Sequence, residues 1–175
     1  MTTIQMFTRA AAALSGLAFA VAVPLGPAVA QVDKELVGAW TIVSITFEQG
    51  DKKTEPYGSD LKGTQIFNAD GRFAVVVTRG DLPKVASGNR ETATPEESQK
   101  IAHGSIGYFG SYTTNPTDKS MILQIEASTF PNFAGTTQKR TYTITGDTMI
   151  LTNPSTSAGS GVAKVVLKRA LQKSM

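Results

Sequence analysis

After residue 30 the chain is a succession of short runs in which apolar and polar side chains alternate with a period of two. The period and the vocabulary of Thr, Val, Ile, Phe and Tyr predict β-strands. Gly38–Glu48 is the first run. Thr41, Val43, Ile45 and Phe47 share one face; Trp40, Ile42, Ser44 and Thr46 share the other. Gly50-Asp51 breaks it, and a polar segment through Pro56-Tyr57-Gly58 leads to the run Gly63–Phe67. Asn68-Ala69-Asp70-Gly71 is a tight-turn signal, so Arg72–Thr78 returns as the second arm of a hairpin.

Residues 79–93 are polar and rich in turn formers, longer than an ordinary hairpin loop. They end at Thr94-Pro95-Glu96-Glu97, which has the parts of a helix start. Thr94 caps, Pro95 sits where its missing N–H costs nothing, and Glu97 reaches back as capping-box partner. Gly104 and Gly107 keep that helix short. Runs at Tyr108–Thr114, Ser120–Ser128, Thr136–Ile144, Thr148–Thr152 and Val162–Arg169 follow, most of them separated by turn residues. Eight strands joined mainly to their sequence neighbours predict an all-β antiparallel meander that closes into a barrel without free edges, with the helix inserted between strands three and four. The absence of βαβ alternation argues against a parallel nucleotide-binding sheet.

The N-terminus reads differently. Twenty of the first thirty residues are apolar, and Arg9 is the only charge before Asp33. Ala10–Val23 is an apolar stretch, followed by Pro24, Pro27 and the small-residue end Ala28-Val29-Ala30. A positive residue, a short apolar core and an A-x-A end are the elements of a secretory signal. A bilayer needs about 20 apolar residues, and this stretch falls short. The expectation is therefore a leader over residues 1–30, cleavage near Ala30, and a periplasmic or secreted domain over 31–175 with no stable membrane anchor.

Charge and composition remove further classes. There are 17 Lys and Arg against 14 Asp and Glu, one His and no Cys in the 175 residues. Disulfide frameworks, thiol catalysis and Cys-based zinc sites are excluded. The basic residues are scattered, without a run that would mark a nucleic-acid footprint. Gly159-Ser160-Gly161 lacks phosphate-loop spacing, so no cofactor is expected. Oligomeric state is left open.

Candidate chemistry depends on which strand faces point into the barrel. In Ser120–Ser128, Met121, Leu123, Ile125 and Ala127 oppose Ile122, Gln124, Glu126 and Ser128. In the next run, Gln138, Arg140, Tyr142 and Ile144 oppose Lys139, Thr141 and Thr143. A hairpin bend near residues 129–136 would bring Glu126 towards Arg140 if the register allows. Inside the barrel, Gln124, Glu126, Arg140 and Tyr142 would bind or polarise a ligand, Arg140 clamping a carboxylate or enolate oxygen and Glu126 serving as base. On the outside the same residues would be a surface ion pair, silent about function. Tyr57, Tyr108 and Tyr112 are phenol donors or ordinary half-buried aromatics. Arg79 stands at the start of the long loop. His103 lies on the helix without an acidic partner at a telling spacing, and Phe130-Pro131-Asn132-Phe133 is a lid or a plug.

A family resemblance rests on Gly38-Ala39-Trp40, Pro56-Tyr57-Gly58, Asp70-Gly71-Arg72, Arg79 with Pro83, Ala86–Arg90, Thr94–Glu97, Tyr108-Phe109-Gly110, and Glu126 followed by Phe130-Pro131-Asn132. In their order and spacing, from about Leu36 to Arg169, these resemble the bacterial and fungal lipocalin-like domain family, small proteins mostly of unassigned function. The resemblance implies a calycin-type barrel and a latch in which Arg169 packs on Trp40. It also favours an internal Glu126/Arg140 pair. Family members often carry His at the position of Gln124, Asp at that of Asn89 and Trp at that of Phe133. Three functions follow from different classes. One is an exported binder of a small apolar or amphipathic molecule. Another is a cofactor-independent isomerase, cyclase or hydratase with Glu126 as base and Arg140 or a tyrosine as oxyanion partner. The third is a barrel packed solid, serving as a structural or interaction domain.

Overall fold

The computed structural model describes residues 32–154, 156, 157, 159 and 161–170, and the expected leader with its cleavage point lies outside the described residues. The strands are β1 (Gly38–Gln49), β2 (Lys52–Thr54), β3 (Lys62–Phe67), β4 (Arg72–Thr78), β5 (Ser105–Asn115), β6 (Ser120–Ser128), β7 (Thr137–Thr145), β8 (Thr148–Asn153) and β9 (Val162–Arg169). The single α-helix, α1, spans Pro95–Gly104. Strands β3 to β8 each pair antiparallel with the next in sequence, and β1 joins β3 on one side and β9 on the other. Pairing from Trp40 with Arg169 to Glu48 with Val162 closes the ring. The result is an eight-stranded antiparallel barrel.

β2 is the strand that the alternation did not predict. Its three exposed residues, Lys52 to Thr54, pair only with the far end of β1 and stand outside the ring as a flap. The helix consequently follows the fourth strand of the chain rather than the third. It begins as its capping box requires: the Thr94 hydroxyl accepts from the Glu97 amide, and the Glu97 carboxylate accepts from the Thr94 amide at 2.9 Å. The other Glu97 oxygen accepts from the Ala86 amide at 2.9 Å, tying the long loop to the helix. The backbone amides of Ala86 and Thr94 hold the Glu97 carboxyl below the usual range. α1 runs straight into β5 at Ser105, three residues before the predicted start of that strand.

Two irregularities set which side chains face inward. In β1 the register with β9 shifts between Ile42 and Ser44. Trp40 and Ile42 are buried, Val43 is 45% exposed, and Ile45 is buried again, so the strand changes face at the bulge. This explains why both faces of the run carried apolar residues. In β6, Ala127 pairs with Phe109 while Ile125 pairs with Gly110, leaving Glu126 as the extra residue of a second bulge. A Cβ on Gly110 would lie 1.9 Å from the carbonyl oxygen of Gln124, so only glycine admits this approach.

The barrel is packed at one end and less so at the other. Leu36, Trp40, Phe67, Met121, Met149 and Leu167 are completely buried, with Tyr112 between them. The segment before β1 closes this end. Trp40 donates through its indole N–H to the Leu36 carbonyl at 2.8 Å, and the Asp33 amide donates to the Thr114 hydroxyl at 2.8 Å. The Arg169 guanidinium lies 4.2 Å from the centre of the Trp40 ring, the latch that the family resemblance implied. It also donates to the carbonyls of Glu35 at 2.8 Å and Val37 at 3.2 Å, stapling the last strand to the closing segment.

Candidate functional site in the barrel lumen

The β6–β7 register decides the chemistry. Met121 pairs with Arg140, Leu123 with Gln138 and Gln124 with Thr137. Directly paired residues point to the same side of a sheet, so Arg140 and Gln138 share the inner face with the apolar residues of β6. Arg140 is 2% exposed and Gln138 5%. The ladder ends at Gln124, so Glu126 has no β7 partner. It stands on the outer surface, where its carboxylate takes both Nη groups of Arg72, the second at 2.9 Å. The Arg72 guanidinium holds the Glu126 carboxyl below its usual range.

The expected Glu126/Arg140 pair therefore does not form. A one-residue offset separates the two faces, and the bulge carries Glu126 out of the ladder. Gln124 is also exposed and touches Ser111 at 3.3 Å on the outer wall. The proposed acid–base machinery of Gln124, Glu126 and Arg140 is divided by the thickness of the sheet. Glu126 is neither buried nor raised in pKa, the two properties that a barrel base would need.

Arg140 stays inside with different neighbours. Its Nη1 donates to the Tyr108 hydroxyl at 2.9 Å and its Nη2 to the Gln138 side-chain oxygen at 2.8 Å. The guanidinium also lies 5.4 Å from the centre of the Tyr108 ring. No carboxylate comes within 4 Å of it among the described residues, and its Nε–H is buried without an acceptor. The amide nitrogen of Gln65, on the inner face of β3, is buried without an acceptor as well.

Arg140 and Gln65 line one cavity of about 50 Å³ in the looser half of the barrel. That is room for roughly three to five waters. Its remaining wall is mainly apolar, with Ile42, Ile45, Val75, Val77, Leu151 and Val165 contributed by four strands. Phe133 covers it. The turn Pro131–Phe133 tucks this ring into the barrel at 8% exposure, where it meets Tyr108 and Phe130 edge-on at 5.9 and 5.1 Å. Phe47, Tyr57, Ile106 and Ser157 form a wall shared with a larger hollow of about 490 Å³, lined also by Pro56, Ala102, His103, Phe130 and Pro131. A small inner chamber and a wider vestibule thus adjoin across three apolar or aromatic side chains and a serine.

The other candidates have different roles. Tyr142 is buried at the packed end and donates to the Asp33 carboxylate at 2.7 Å. Tyr112 donates to the Asn68 carbonyl at 2.9 Å; burial, with the charges of Asp70 and Asp33, pushes its phenol up to about 12. Neither reaches the chamber. Arg79 lies outside the barrel in a bidentate pair with Asp81 at 2.7 and 2.8 Å. His103 is exposed on the rim of the vestibule. Among the described residues no cluster of His, Cys, Asp and Glu could hold a metal ion, and no helix is long and apolar enough to cross a membrane.

A family model described as a lipocalin-like domain matches residues 37–170, the whole barrel. The chain belongs to this family. Solved structures similar to this lipocalin-like barrel include a biogenic amine-binding protein in its selenomethionine derivative. It is 12% identical, with a TM-score of 0.39 over 81% of this chain and 68% of that one. Another is the tryptamine complex of the amine-binding protein of Rhodnius prolixus, 13% identical, with a TM-score of 0.38 over the same shares. No curated protein matches the chain.

Of the residues proposed for binding, the lipocalin-like barrel brings Arg140, Tyr108 and Tyr57 to the chamber, and not the others. Gln65 and Gln138 were missed. Gln138 was legible as a member of the Arg140 face. Gln65 was hidden because Ile66 beside it, 39% exposed, gives the opposite face of β3 an equally apolar look.

Proposed function

We propose that this lipocalin-like protein is exported and binds one small amphipathic molecule inside its barrel. The polar end lies in the inner chamber against Arg140, and the apolar body crosses the Phe47–Tyr57–Ile106 wall towards the vestibule. The observation that carries this reading is Arg140 itself, a guanidinium 2% exposed with no carboxylate partner among the described residues, lining an otherwise mainly apolar chamber. Withdrawing a charge from water without a counter-ion costs several kcal/mol, and a binding site is a setting in which that cost is offset by a ligand. A chamber large enough for a few waters speaks against a barrel packed solid. An exposed Glu126 leaves the enzymatic reading without its base.

Native mass spectrometry of the protein purified from its own source tests the reading. A co-purifying small molecule is expected, lost when Val75→Trp fills the chamber. Repeated preparations without an adduct would count against a carrier. Export is tested separately by sequencing the N-terminus of the mature protein, expected to begin at Gln31.

A further inference from the structure

We infer that the lumen selects an anionic head group, a monocarboxylate, over an alcohol or an amine. This rests on the proposed reading of the chamber as a ligand site and assigns the chemistry of its polar end. Arg140 and Gln65 both line the chamber, and each keeps a buried donor without an acceptor: the Nε–H of Arg140 and the amide nitrogen of Gln65. A ligand completes them only by bringing acceptors.

Arg140 also fixes the charge. Its two characterised partners, the Tyr108 hydroxyl and the Gln138 amide oxygen, are neutral, so they orient the guanidinium without cancelling its charge. The Tyr108 hydroxyl accepts from Arg140, which leaves its own proton to be given to something else in the chamber. Nε–H and the adjoining Nη form a planar fork whose spacing matches the two oxygens of a carboxylate. Chamber size agrees: three to five waters' worth of space admits a carboxylate and the first carbons of its chain, while a longer apolar body must occupy the vestibule. A protonated amine would add a second positive charge beside Arg140 and offer the unpartnered donors nothing.

Three six-carbon probes with one body and different heads test this: hexanoate, 1-hexanol and hexylammonium. Each is titrated into protein purified from the full chain, with calorimetry for affinity and the Arg140 side-chain Nε–H resonance as a local readout. Hexanoate is expected to bind at least tenfold tighter than hexanol, with hexylammonium weakest, and to move that resonance. Arg140→Met should abolish the preference while hexanol still binds, and Arg140→Lys should retain part of it. If Arg140→Met does not fold, Arg140→Lys and the resonance decide alone. Equal or tighter binding of hexanol or hexylammonium, or a preference that survives Arg140→Met, overturns the carboxylate assignment and leaves a lumen binder standing. If none of the probes binds and the resonance is unmoved, the head-group assignment and the lumen reading fail together.

Discussion

The guanidinium of Arg169 lies 4.2 Å from the centre of the Trp40 ring and donates to the carbonyls of Glu35 and Val37. One side chain thus joins the last strand, the first strand and the segment that closes the packed end. Arg169→Gln removes the cation–π contact and the charge-assisted bonds, and is expected to lower unfolding stability by about 2 kcal/mol. Because Trp40 is the only tryptophan, its fluorescence reports the change at the same place. A denaturation midpoint equal to wild type would show that the latch contributes nothing.

Asp33 gives an acid dependence of defined sign. Burial alone would raise its pKa, but the Tyr142 phenol, the Glu35 amide and the Lys119 ammonium outweigh it and hold the carboxyl below 3.8. A folded pKa lower than the unfolded one contributes stability in full above the unfolded value, and that stability is lost as pH falls through the folded value. Asp33→Asn should cost about 1–3 kcal/mol at neutral pH. The gap between mutant and wild type should close in acid, below pH 3.8. Urea melts across that range check it; a gap that widened there would contradict the sign.

Arg140→Met should separate stability from binding. An unpaired buried charge is replaced by an apolar side chain of similar length, so the unliganded protein is expected to be as stable as wild type or more stable by about 1–2 kcal/mol. Ligand retention should fall at the same time. A loss of more than about 2 kcal/mol would identify Arg140 as a structural strut to Tyr108 and Gln138.

Gly110→Ala tests the β6 bulge. The added methyl group would meet the Gln124 carbonyl at 1.9 Å, and backbone on both sides leaves it little room. A cost of about 3 kcal/mol is expected, read as a shifted urea midpoint at unchanged slope. Full stability would mean that the two strands separate there without penalty.

Glu126→Gln is expected to leave ligand retention unchanged. The carboxylate stands outside the barrel with Arg72, and exposed pairs of this kind contribute little. Loss of the co-purifying molecule in this variant would restore Glu126 to the site.

The barrel was legible because its strands are short, alternating and separated by turn residues, and the capping box marked the start of the helix to the residue. What alternation does not encode is phase. Glu126 and Arg140 each sit on a run with a clear polar face, yet only the cross-strand register tells which face is inside. Two bulges shift that register, and a bulge leaves no hydrophobic signature of its own. β2 escaped for a related reason: three polar residues carry no alternation, and only their hydrogen bonds to β1 make them a strand. Arg140 stood out only through its expected approach to Glu126, which the register does not allow, whereas Gln65 was masked by exposed Ile66.

The pairing of β1 with β9 has a consequence for the order in which the barrel can be written. With the first and last ring strands side by side, no strand needs to be first. A linker joining Arg169 to Gly38, with new ends opened at the exposed Gly146-Asp147 turn, would preserve every strand pairing in a circularly permuted chain. The closing segment around Asp33 would have to be carried within that linker, because the Arg169 guanidinium donates to its Glu35 and Val37 carbonyls.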